Sequence, residues 1–78
     1  MKLSPGMEKL IIDVKKEAVE LLLNSKDIGL IKIKKKPTKN KIFEFHLINI
    51  GKPIIRLFIN GRFYATYFYN NGKWKEEN

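Results

Sequence analysis

The fold is decided by residues 54 to 69, which read IIRLFINGRFYATYFY. β-Branched and aromatic residues fill both halves of this stretch, and the dipeptide Asn60-Gly61 separates them. Asn-Gly between two such runs is the strongest short-range signal for a β-hairpin, because both residues tolerate the positive φ angles of a type I′ turn. The stretch therefore predicts two antiparallel strands, from Ile54 to Ile59 and from Arg62 to Tyr69.

More strands are predicted on both sides of this hairpin. Isoleucine alternates with lysine over residues 29–35, and a second strand is predicted over residues 42–50. Turn dipeptides at residues 51–52 and 71–72 connect the second strand to the hairpin and return the chain through a short final strand. Because such short loops make sequential strands neighbours, we predict an antiparallel meander of four to five strands over about residues 29–76.

The chain before this sheet has helical periodicity. Ser4 can cap free N–H groups and Pro5 suits a first turn, so a helix is predicted from about residue 5 to about residue 25. Its main apolar face packs on the sheet, which makes residues 1–78 a single α+β domain. A second apolar stripe lies about 140° from the first. It consists of Ile12, Val19 and Leu23, and either a curling sheet or a second subunit of a homodimer must cover it.

Composition limits the class of protein. A chain of 78 residues has room for one core, and it contains no cysteine for disulfides or thiolate metal sites. Its longest apolar runs are far too short to span a bilayer, so we expect a cytoplasmic protein with no membrane partner. No zinc spacing, phosphate loop or nucleophile elbow is present. We therefore expect no metal and no cofactor, and we favour a non-enzymatic protein while leaving enzymatic activity open.

The excess positive charge lies in the predicted sheet. Residues 1–27 carry five Lys against five acids, whereas residues 28–75 carry nine Lys and two Arg against the single acid Glu44. A cationic strand pair beside aromatic rings can hold phosphates and stack bases. The predicted nucleic-acid-binding residues are Lys32, Lys34, Lys35, Lys36, Lys39, Lys41, Arg56, Arg62, Tyr64, Tyr67, Tyr69 and Trp74. Alternatively, the lysines protect an exposed edge strand from pairing with another chain.

The register of the central hairpin is left open by the sequence. A two-residue turn puts Phe58, Phe63, Ala65 and Tyr67 on one face and Leu57, Ile59, Tyr64 and Phe68 on the other. A three-residue loop with a glycine bulge exchanges those partners. In either register both faces carry large apolar residues, so the face away from the helix is predicted to be a contact surface for nucleic acid, a protein or a second copy.

A further hypothesis concerns His46 and a candidate partner for its side chain. Glu44 lies two residues before it on the same predicted strand, so the two side chains share a face and can pair; alternatively, Glu44 pairs with a lysine across the strands. Residues 43–46, 54–58 and 67–69 resemble the sheet of RelE/HigB-type ribonuclease toxins. That resemblance implies ribosome-dependent RNA cleavage, with phosphate clamping and proton transfer by Arg56, Arg62, His46 and Tyr69.

Three functions follow as hypotheses. The leading one is a small basic protein that binds nucleic acid with little sequence preference, because arginine, the usual reader of guanine, is scarce. The second is a protein-interaction module such as a dimeric inhibitor or adaptor, with a sheet face or the helix stripe as its interface. The third is the ribonuclease that the resemblance implies.

Overall fold

The computed structural model describes residues 3–23 and 29–77, which form one helix and one sheet. The elements are α1 (Pro5–Leu23), β1 (Leu30–Thr38), β2 (Lys41–Asn49), β3 (Pro53–Ile59), β4 (Arg62–Asn70) and β5 (Lys73–Glu77). All neighbouring strands are antiparallel, and the sheet order is β1-β2-β3-β4-β5. The predicted α+β meander is confirmed, with five strands. The predicted helix residues 24 and 25 lie outside the described residues.

The ends of α1 are fixed by side-chain hydrogen bonds. The backbone N–H of Met7 donates to Ser4 Oγ at 3.3 Å, which confirms Ser4 as the N-cap. At the other end, the Asn49 side-chain amide donates to the carbonyl of Leu22 at 3.0 Å. A helix leaves its last carbonyls without intrahelical donors, so this bond from β2 satisfies one of them and ties the helix to the sheet.

The core lies between α1 and one face of the sheet, which we call the inner face. The helix buries Ile11, Val14, Ala18 and Leu22 there. The sheet contributes Phe43, Phe45, Leu47, Ile55, Leu57, Ile59, Ala65 and Tyr67. The second helix stripe stays outside this core, because Ile12 is 50% exposed and Leu23 is 57% exposed. The sheet described here therefore does not curl over the stripe.

A β-bulge in β4 determines which side chains reach the core. Ile59 pairs with Arg62 across a two-residue turn, and Phe58 pairs with Phe63. The next pair is Leu57 with Ala65, so Tyr64 is an extra residue in β4. The two-residue turn thus predicts the position of Phe63 correctly, but it is wrong for Ala65 and Tyr67. Beyond the bulge the strand follows the alternative register, so Ala65 and Tyr67 lie on the inner face with Leu57.

Asn60 connects the ends of two hairpins. It has a φ of 52°, as the type I′ turn requires, and its backbone N–H donates to the carbonyl of Ile42 at 2.9 Å. Its side-chain Oδ1 accepts a hydrogen bond from the N–H of Ile42 at 2.9 Å, and its Nδ2 donates to the carbonyl of Asn40 at 3.0 Å. The β3–β4 turn is therefore held against the start of β2 and the β1–β2 turn.

We expect Asn60→Gly to lower the free energy of unfolding by about 1–2 kcal/mol, because glycine accepts the positive φ but loses both side-chain hydrogen bonds. Asn71→Gly is the matched control. Asn71 also has a positive φ, of 53°, and precedes a glycine. Urea unfolding of both variants measures the difference. Equal stabilities would show that the hydrogen bonds of Asn60 contribute nothing beyond the turn conformation.

Candidate nucleic-acid interface

The face of the sheet opposite α1, which we call the outer face, combines charged and aromatic side chains. Strand register places them in rows that cross the sheet. One row contains Lys32, His46, Arg56 and Thr66, and the next contains Lys34, Glu44, Phe58 and Phe63. A third, apolar row contains Leu30, Ile48, Ile54 and Phe68. Among residues 3–23 and 29–77, the helix packs on the inner face and no element covers this one.

Three rings form a continuous series across β2, β3 and β4. The ring centroids of His46 and Phe58 lie 4.7 Å apart, and those of Phe58 and Phe63 lie 5.9 Å apart in an edge-to-face arrangement. Phe63, at the end of the series, is 53% exposed, and Phe58 is partly exposed. Partly exposed ring faces in the centre of a sheet are surfaces on which planar groups can stack.

Glu44 is the carboxylate at the centre of this face, and it is surrounded by basic side chains. Its Oε2 lies 2.5 Å from His46 Nε2, and its Oε1 lies 3.6 Å from Lys34 Nζ. Both predicted pairings of Glu44 are therefore present. The hydrogen bond from His46 lowers the pKa of Glu44 most, and the charges of His46, Lys34 and Lys32 lower it further. The carboxylate is thus ionised at neutral pH, with its charge directed toward its basic neighbours.

The twelve residues predicted from the sequence do not form one site. Strand register and groove lining divide them among five places. The outer face carries Lys32, Lys34 and Arg56, and a groove at the end of the sheet is lined by Lys41, Arg62 and Tyr64. Lys35 and Lys36 border α1, and Lys39 is in the β1–β2 turn. The inner face carries Tyr67, Tyr69 and Trp74.

The stacking role predicted for Tyr67 is incompatible with its position. Tyr67 is 1% exposed, and Lys15 Nζ lies 4.1 Å from the centre of its ring. A base cannot reach that ring while the core is intact. Tyr69 and Trp74 lie on the same inner face with ring centroids 5.0 Å apart, and Trp74 is packed against the core. These rings therefore do not share a face with Lys32 and Lys34.

Three phenylalanine rings share that face, namely Phe58, Phe63 and Phe68, and no binding role was predicted for them. A signal for Phe58 was available, because it lies two residues after Arg56 on the same strand. The residues implied by the ribonuclease resemblance are likewise separated. His46 and Arg56 are paired across strands, whereas Arg62 follows the β3–β4 turn and Tyr69 is on the inner face.

Comparison of the chain with protein-family models, with curated proteins and with solved structures gave no match. In the part of the chain that the structure describes, no helix combines the length and the apolar composition needed to cross a bilayer.

The buried hydroxyl of Tyr67 predicts a loss of stability at alkaline pH. Burial raises its pKa, and the nearby carboxylate of Glu76 raises it further. In the unfolded chain the hydroxyl ionises near its ordinary pKa of 10.0, whereas the folded state keeps the proton. The stabilisation that the protonated hydroxyl gives the folded state is therefore complete below pH 10. Above that pH the free energy of unfolding falls by up to about 1.4 kcal/mol per pH unit.

We expect Tyr67→Phe to flatten this alkaline limb, because phenylalanine has no proton to release. Chemical unfolding between pH 9 and 11.5 measures the slope, and the slope is compared rather than the absolute stability, since the variant also loses the hydroxyl's hydrogen bond with Glu76. Tyr69→Phe is the control, because it removes a hydroxyl from a half-buried ring. An equal change of slope in both variants would contradict the assignment to Tyr67.

Proposed function

We propose that the protein binds single-stranded nucleic acid on the outer face of its sheet, without catalysis and with little sequence preference. The observation that carries this proposal is the ring series of His46, Phe58 and Phe63 lying beside Lys32, Lys34 and Arg56. Cations that track a phosphate backbone, combined with rings on which bases stack, are the two elements of sequence-tolerant single-strand binding.

The arrangement of charges on the outer face supports a single strand in particular. The rings lie on the central strands, while the basic side chains lie mostly on the two edge strands. Lysines on β1 and β5 can therefore contact phosphates while unstacked bases point toward the centre of the sheet. The basic side chains that register assigns to this face are Lys32, Lys34, Arg56, Lys73 and Lys75, against the acids Glu44 and Glu77.

A duplex fits this face less well. Its bases are stacked on one another inside the helix, so the rings of Phe58 and Phe63 would meet sugar and phosphate instead of a base. The cations on the face are also mostly lysine, which contacts phosphate as a point charge and lacks the planar fork with which arginine reads guanine. The proposal therefore includes a preference for unpaired strands over duplexes and only weak discrimination among base sequences.

Replacing outer-face cations should reduce the salt dependence of binding. We expect the double variant Lys32→Gln with Arg56→Gln to lower the slope of log K against log salt by about 1.4 for a single strand, because about 0.7 is lost per phosphate contact. The matched control is Lys35→Gln with Lys36→Gln, which removes the same charge from β1 where it borders α1. Fluorescence anisotropy of a labelled oligonucleotide measures both slopes. Equal effects would mean that only net charge matters.

Replacing an outer-face ring should weaken binding without changing its salt slope. Phe58→Leu keeps the site apolar but removes a stacking surface, so we expect a loss of about 1–3 kcal/mol of binding free energy. Tyr69→Leu, which removes a ring from the inner face, serves as the control for general effects on folding. The same anisotropy titration at one salt concentration gives both affinities. Unchanged affinity in Phe58→Leu would remove base stacking from the proposal.

A second candidate function, a protein-interaction module, is favoured by the apolar side chains that remain exposed. On the outer face Leu30 is 54% exposed and adjoins Ile48, which in turn adjoins Ile54 in the apolar row. On the helix, the stripe of Ile12, Val19 and Leu23 is available to a second copy.

A homodimer through this stripe should dissociate in the double variant Ile12→Ser with Leu23→Ser, because serine removes the apolar contact surface. Sedimentation velocity measures the dissociation. A wild-type monomer at high concentration would eliminate the homodimer.

A further inference from the structure

A groove at one end of the sheet has the chemical character of a nucleotide site. It encloses about 570 Å³, a size typical of small-molecule pockets. It lies where β2 and β4 begin, on the two sides of the turn that ends β3. The side chains that give it its chemistry are Lys41, Arg62, Phe63 and Tyr64, with Asn60 in its wall.

The bulge brings the two rings to this groove. Register puts Phe63 on the outer face, and the extra residue Tyr64 turns back toward the core and is half-buried against it. Both side chains nevertheless line the same groove at the edge between the two faces. Phe63 is 53% exposed and so has free ring surface. A planar heterocycle can therefore stack here without any rearrangement of the core.

The charges lining the groove select an anion. Lys41 and Arg62 are both basic, and none of its lining residues is acidic. Two other grooves of the described chain differ in this respect, because Asp13 lines one and both Glu8 and Glu76 line the other. A guanidinium can bind two phosphate oxygens at once, and an ammonium adds a point charge.

Asn60 gives the wall of the groove its rigidity. Its amide oxygen and nitrogen are already engaged, with the N–H of Ile42 at 2.9 Å and the carbonyl of Asn40 at 3.0 Å. Asn60 thus holds the wall in place beside the rings and the two basic side chains.

We propose that this groove binds one nucleotide that carries a phosphate monoester, with its base against Phe63 and Tyr64 and its phosphate at Lys41 and Arg62. A monoester carries a charge between about −1.5 and −2 at neutral pH, which exceeds the single charge of an internal diester and suits two cations better. The monoester can belong to a free nucleotide or to the phosphorylated end of a strand. Phe63 belongs to both sites, but the groove's cations and its second ring are not those of the outer face, so the groove does not rest on single-strand binding there.

The test is a ¹⁵N NMR titration of the full chain with uridine 5′-monophosphate, uridine and ribose 5-phosphate. We expect the monophosphate to bind about tenfold more tightly than either half-ligand, because only it engages rings and cations together. The shifted amides should be those of residues 41 and 60–64. Equal affinity for the monophosphate and ribose 5-phosphate, or shifts confined to the centre of the outer face, would overturn the proposal.

Two variants separate the roles within the groove. Arg62→Gln should weaken the monophosphate about tenfold and leave uridine unchanged, whereas Phe63→Leu should weaken both. Lys52→Gln, in the turn at the opposite end of the sheet, is the matched charge control and should change neither. If Arg62→Gln and Lys52→Gln have the same effect on the monophosphate, the groove does not hold the phosphate.

A last comparison identifies the source of the monoester. An oligonucleotide with a 5′-phosphate should bind more tightly than its unphosphorylated counterpart if the groove takes a strand end, and Arg62→Gln should abolish the difference. Equal affinity of the two oligomers, with the monophosphate still bound, assigns the groove to free nucleotides. Failure of single-strand binding on the outer face would appear as the loss of the unphosphorylated oligomer with the mononucleotide retained, so the two proposals fail separately.

Discussion

The extra residue that Tyr64 inserts into β4 is the constraint on which the distribution of side chains depends. Side chains alternate between the faces of a strand, so one inserted residue moves every later side chain to the opposite face. Without the insertion, the parity of Phe63 would carry Ala65 and Tyr67 to the outer face. The core would then lose Tyr67, its largest fully buried side chain. The bulge lets a tight two-residue turn coexist with a core that needs the other parity.

The small size of the chain explains why the outer face is left open. One helix packs against β1, β2 and β3 on the inner face, and the described chain has no second layer. Large apolar side chains consequently remain exposed on the sheet, including Leu30 at 54% and Phe63 at 53%. Contiguous exposed apolar surface in a small protein usually marks an interaction site. On this face it is interspersed with lysine and arginine, which favours a polyanion with planar groups over a purely apolar partner.

The parts of the fold that could be predicted are those governed by local chemistry. The cap at Ser4 and the turn at Asn60-Gly61 depend on a few neighbouring residues, and both are present in the structure. The bulge depends on which of two registers packs better under α1, and that choice involves residues far apart in sequence. Three of the predicted cations, Lys32, Lys34 and Arg56, share one face, whereas three of the rings predicted to accompany them, Tyr67, Tyr69 and Trp74, lie on the other. The alternation of Arg56 and Phe58 within one strand needed no knowledge of the bulge, but the face of Phe68 did.

The lysines of β1 can either protect the edge of the sheet or bind a ligand, and their positions distinguish these two explanations. β1 is an edge strand, and lysine on an edge prevents pairing with another chain whichever face it lies on. Binding on the outer face, in contrast, requires lysine at Lys32 and Lys34 but not at Lys35 or Lys36, which border the helix. If the lysines only protect the edge, the pair Lys32 and Lys34 and the pair Lys35 and Lys36 have equivalent effects. Removing either pair then promotes self-association. A binding role predicts that they differ. Because both pairs lie on one strand and carry equal charge, a difference between them must come from their positions, on the outer face for one pair and beside α1 for the other.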